Sequence, residues 1–129
     1  IYGQQMTYNI GNDILNFSGG DGANTCGSDL RRRAPNGVVV LFRDTLNADQ
    51  RPAFDDWYAS GSDDDFDTWF TAVQHSPALG EAATRMNAMM ARADDFSKTL
   101  PSELNAVITP IQQLLQQVCV KPVASLNQA

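Results

Sequence analysis

The chain has 129 residues, 43% hydrophobic and 19% charged, with a formal charge of -6 and a pI near 4.4. That balance suits one globular domain, residues 1-129, and excludes disorder by composition. The acidity argues against nucleic acid, whose phosphates need a concentrated positive face, and against anionic lipid surfaces, while no apolar run reaches the ~18 residues of a membrane-spanning helix.

From Gln4 to Phe17, Met6, Ile10, Ile14 and Phe17 recur at helical spacing until Gly19-Gly20 stops the pattern. Residues 18-36 carry four glycines, Arg31-Arg32-Arg33 and Pro35-Asn36, and read as a long loop with a short turn at Ser28 to Arg33. Val38-Val39-Val40-Leu41-Phe42 has strand composition. No second segment of similar β-branched density exists to pair with it, so a buried helix from Val38 to Leu46 is preferred, with an edge strand offered to a partner as the alternative.

Asn47-Ala48-Asp49-Gln50 has the spacing of a capping box and opens a helix carrying Phe54, Trp57 and Tyr58 to a stop at Ser60-Gly61. Leu46 to Arg51 also resembles the Leu-Thr-x-x-Gln start of periplasmic stress chaperones. Ser62 is expected to cap a helix whose first turn is Asp63-Asp64-Asp65, with Phe66, Trp69, Phe70 and Val73 behind it. Ser76-Pro77 opens the longest helix, whose inner face is read as Leu79, Ala83, Met86, Met90 and Ala93, extending to Phe96. Ser102 then caps a last helix, kinked at Pro110, with an inner stripe of Leu104, Ile108, Ile111, Leu115 and Val118. Residues 120-129 read as a tail, ordered only if a cysteine tethers it.

Cys26 and Cys119 are the two cysteines and lie far apart in sequence. An even count so spaced suits one structural disulfide formed in an oxidising compartment, and a chain opening at Ile1 fits removal of a signal peptide. The expectation is therefore an exported protein, periplasmic or extracellular. Its fold is expected to be all-α, a four- to five-helix bundle in which the disulfide pins the glycine-rich loop to the last helix.

Six of the fifteen acids, Asp55, Asp56, Asp63, Asp64, Asp65 and Asp67, fall within thirteen positions. Their spacing matches no calcium loop, and no metal site is expected. As a function they suit docking to a protein with a basic surface. His75 is the only histidine. With Tyr58, Met86 and Met90 it could line an apolar pocket that binds haem. The ending Cys119-Val120-Lys121-Pro122, with Pro110 upstream, resembles the C-terminal region of small helical haem-binding proteins exported by mycobacteria. The placement of His75 and Tyr58 departs from that family, so no residue role is carried over.

Nucleophilic catalysis needs a nucleophile, a base and an orienting group, and only Ser76 beside His75 offers two of them in sequence. No catalytic residue is assigned. The expected function is a non-catalytic exported protein-binding domain, such as an inhibitor or immunity protein. The alternatives are a carrier of haem or another apolar ligand, and a small enzyme working through a carboxylate pair.

Overall fold

The computed structural model describes residues 2–18 and 26–126. The protein is all-helical, 78% helix, with no strand among the described residues. Its helices are α1 (Tyr2–Leu15), α2 (Ser28–Arg31), α3 (Gly37–Thr45), α4 (Gln50–Ser60), α5 (Phe66–Gln74), α6 (Ala78–Ser97), α7 (Ser102–Leu115) and α8 (Lys121–Ser125). A π-helical turn, Gln116–Val120, joins the last two. Gln116, Val120 and Lys121 keep right-handed helical angles, so α7 and α8 are one continuous rod. Counted so, there are seven helices among the described residues rather than the four or five expected. The chain packs as two compact units, Asp13–Ala82 and Ile1–Asn12 with Ala83–Ala129.

In the Asp13–Ala82 unit, local capping decides the elements. The Asn36 side chain accepts from Val38 N at 2.9 Å and donates to Asp13 O and Asp29 Oδ2, while Gly37 N donates to Asp13 Oδ2 at 2.8 Å. Four groups thus fix the start of α3, and the Val38 to Phe42 run is helical despite its strand composition. Val38, Val39 and Phe42 are buried.

Asn47 and Gln50 form the reciprocal box: Gln50 N donates to Asn47 Oδ1 at 2.8 Å and Asn47 N donates to Gln50 Oε1 at 3.2 Å. Asn47 therefore caps a turn that leads into α4, although regular helix begins only at Gln50. Gly61 ends α4 in the left-handed conformation at φ 68°. Ser76 Oγ accepts from Ala78 N at 3.2 Å and donates to Val73 O at 2.7 Å, closing α5 and opening α6.

The core of this unit is aromatic. Phe54 sits among Phe42, Tyr58 and Trp69, with ring centroids 5.3, 5.8 and 5.1 Å away. Phe17, Phe70 and Phe66 stack in a second row. Pairs of this kind contribute about 0.5–1.5 kcal/mol each beyond the area they bury. Gly27 at φ 76° passes directly under that row, where a Cβ would lie 2.7 Å from the Phe70 ring.

In the other unit, the side chains that α1 turns inward are small or polar. Gln4 and Thr7 are buried and Gly11 is enclosed, whereas Met6 and Ile10 are only half-buried. Gly3 and Gly11 let α1 approach its neighbours closely: a Cβ on Gly3 would lie 3.0 Å from Ala93 Cβ, and one on Gly11 2.8 Å from Cys119 Cβ and Sγ. An apolar-period reading of α1 misses this, because close helix contact selects for small residues rather than large ones.

Several expectations are corrected here. Cys26 and Cys119 are both free thiols and are not near each other, so the expected disulfide is absent. Cys119 is 0% exposed, with its sulfur against the Gly11 backbone rather than presented to a loop. Without the bridge, the cysteines no longer argue for an oxidising compartment. Residues 121–125 are nonetheless helical and anchored by buried Val123, so the segment read as a tail needs no covalent tether.

The inner face of α6 is Ala78, Ala82, Met86, Met90 and Ser97, while Phe96 is 66% exposed. Most consequentially, α7 is rotated from its expected setting. Gln112, Leu115 and Cys119 face inward, and Leu104, Ile111 and Val118, placed in the core by the sequence pattern, lie at 53%, 40% and 40% exposure. Leu115, which belongs to the expected stripe, is buried, and on the same side Cys119 packs on Gly11 and Gln112 Nε2 donates to Asp94 Oδ1 of α6 at 2.8 Å.

Candidate functional site: an acidic turn built on the aromatic core

Asp63-Asp64-Asp65 does not form the first turn of a helix. The three residues make a separate turn between α4 and α5, with Phe66 N donating to Asp63 O at 3.1 Å and Asp65 at φ 63°. Aspartate enters the left-handed region more readily than most residues, at a cost of roughly 1 kcal/mol, and here its side chain makes no capping hydrogen bond. Asp65 is thus the residue before α5, its carbonyl accepting from Trp69 N at 3.1 Å, and Asp67 is the acid in the helix's first turn.

The turn is held from beneath. Trp57 Nε1 donates to Asp64 O at 2.6 Å, and Ser62 Oγ accepts from Asp64 N at 3.0 Å. Arg33 is the central strut. Its guanidinium lies 3.9 Å over the Trp57 ring and donates to Trp57 O, Tyr58 O and Ser62 O at 3.2, 3.1 and 2.7 Å. These carbonyls end α4 and begin the acidic turn, so one planar fork ties the two together, sharing Trp57 O with the Ser60 hydroxyl at 2.6 Å. Arg33 itself takes φ 55° to reach them.

The arginine triplet therefore divides by role. Arg31 stacks 3.9 Å over Phe66 and pairs with Asp63 at 3.2 Å, Arg32 pairs with Asp29 at 3.3 Å, and Arg33 is structural. Asp55 is held by Arg43 through two contacts of 2.7 Å, and this hydrogen bonding lowers the Asp55 pKa and raises that of Arg43. Asp56, Asp63, Asp64, Asp65 and Asp67 are exposed and Asp55 is half-buried. The six acids thus belong to α4, the turn after it and the start of α5. Sequence reasoning placed them together but missed Arg33, since nothing in a run of three arginines says which one turns inward.

The other expected residues are distributed differently. His75 is exposed at the end of α5, and Tyr58 is half-buried beside Phe54. Met86 and Met90 are 0% and 5% exposed in the inner face of α6. His75 and Tyr58 belong to one compact unit and the methionines to the other. Ser76, the candidate nucleophile, is committed to capping through both its hydrogen bonds. Among the described residues, no group of three or more His, Cys, Asp or Glu is arranged to hold a metal ion, and no helix is long and apolar enough to cross a membrane.

A groove of about 340 Å³ lies along α6 and α7, with Met90 on it beside Asp94, Ser97, Asn105, Gln112 and Gln116. Its walls combine carboxamide, hydroxyl and carboxylate groups and the Lys98 ammonium with the apolar surface of Met90 and of the longer side chains. Comparison with protein families, with curated proteins and with solved structures finds no match to this chain.

Proposed function

We propose that the protein is a protein-binding domain that recognises a basic surface through the acidic turn and the helix ends flanking it. The observation supporting this reading is the turn's construction. Asp63, Asp64 and Asp65 project from backbone fixed by Trp57, Ser62 and Arg33, so their carboxylates are presented without a large ordering cost on association. A net charge of -6 adds long-range attraction to a cationic partner.

A charge-altered variant, with Asp56, Asp64 and Asp67 changed to Lys and Asp65 to Asn, which tolerates the left-handed backbone, leaves the struts in place. Protein immobilised from each form would be exposed to extract of its own source, and the retained polypeptide measured kinetically against both. The expected result is association slower by about tenfold or more in the variant, with the wild-type rate falling steeply as salt rises. Equal rates and equal salt dependence would sink this reading.

A further inference from the structure

α7 carries a second surface, remote in chemistry from the acidic turn and independent of the reading above. Leu104, Val107, Ile111, Leu114 and Val118 are exposed at 53%, 66%, 40%, 56% and 40%. Their spacing alternates three and four residues, which sets all five on one stripe of the helix and is the pattern of a two-helix seam. The stripe runs about 21 Å at the ordinary helical rise. It is also devoid of charge: between Glu103 and Lys121 the sequence holds no acidic or basic residue. An exposed, continuous apolar row of this length marks an interface.

We propose that this face is closed by a second copy of the same chain, with the two α7 helices packed antiparallel about a twofold axis near Ile111. Two observations select that occupant. In a chain of net charge -6, an uncharged helix face is where two copies can approach without setting like charges together. The seam ends on Glu103 at one end and Lys121 at the other. Antiparallel packing sets Glu103 of each copy toward Lys121 of the other and opposes the helix dipoles, whereas parallel packing would set like against like.

In this arrangement Leu104 meets Val118 of the second copy, Val107 meets Leu114, and Ile111 meets itself. A two-helix seam this short buries less than a standard interface of ~1,600 Å², so the dimer should dissociate in the micromolar range.

Sedimentation of the full chain through a dilution series from millimolar to low micromolar tests the proposal. The expected mass rises with concentration from 14.1 kDa toward twice that value. Val107→Lys with Leu114→Lys should remain monomeric throughout, and so should Val107→Glu with Leu114→Glu. Both sites are exposed, so helicity should be unchanged by circular dichroism. Mixing the two variants should restore a dimer containing one of each. Reversing Glu103→Lys alone should weaken the dimer, and adding Lys121→Glu should rescue it, which a parallel pair would not do.

A monomer at every concentration overturns the proposal. A dimer indifferent to the Val107 and Leu114 changes overturns it too, since another face would then be in use. Binding of the monomer to neutral phosphatidylcholine vesicles, lost in the lysine variant, would assign the stripe to a lipid surface instead.

Discussion

Arg33 and Asp13 show how single residues set the local structure of the Asp13–Ala82 unit. Arg33 replaces solvent for three carbonyls at the end of α4 and keeps its charge over Trp57, a combination only a planar guanidinium can provide. Asp13 does the opposite: it places a carboxylate where burial is the larger effect. Burial raises its pKa, the Gly37 N–H opposes that, and Asp29 adds to it. A group whose folded pKa is raised stabilises the fold fully below its unfolded value of about 3.9 and loses that contribution as pH rises through the folded value. Asp13→Asn keeps an oxygen for Gly37 and removes the buried charge. It should raise Tm by a few degrees at neutral pH, with the gain shrinking toward zero below about pH 4. A lower Tm at neutral pH would show that the charge at the start of α3 outweighs its desolvation.

At the scale of elements, α1 depends on glycines for proximity. Ala is the better helix former by about 1 kcal/mol, but at position 11 its Cβ would stand 2.8 Å from both Cβ and Sγ of fully buried Cys119. Overpacking of that kind costs about 1–3 kcal/mol, so Gly11→Ala should destabilise in urea titration despite its propensity gain. Gly80 is the control. A Cβ there meets nothing within 4 Å, and Gly80→Ala should stabilise by roughly 0.5–1 kcal/mol. If Gly11→Ala also stabilised, α1 would not pack against Cys119 as described. The same scale explains α7, which has two apolar lines, one through Leu115 and Cys119 and one through Leu104, Ile111 and Val118. Helical period alone groups Leu115 with the second line, whereas in the fold Leu115 turns inward with Cys119, beside the Gln112–Asp94 hydrogen bond, and Leu104, Ile111 and Val118 stay exposed.

For the whole molecule, the thiols report the architecture. Cys26 is half-buried in the turn before α2, while Cys119 is fully buried and its pKa is raised by desolvation. Since the thiolate is the reactive form, an aromatic disulfide reagent should modify Cys26 promptly in the native protein and Cys119 only as the chain unfolds. Failure to modify either cysteine, even in denaturant without reductant, would restore the disulfide and refute the separation of the two residues.

The helical class and several helix ends follow from local residues, because they depend on groups close together in the chain, although α5 starts later than Ser62 implies and Ser102 opens α7 without capping it. Asn47 with Gln50, Ser76 with Pro77 and the stop at Gly61 all act where they were expected. The clustering of Asp55 to Asp67 was legible for the same reason, adjacency in the chain. Only the tertiary structure decided what lies far apart in sequence. It left Cys26 and Cys119 apart, turned Arg33 rather than Arg31 inward, lifted Asp63 to Asp65 out of the helix, and gave α7 its rotation. Each of these is set by packing and hydrogen bonds between distant segments, which residue spacing does not encode.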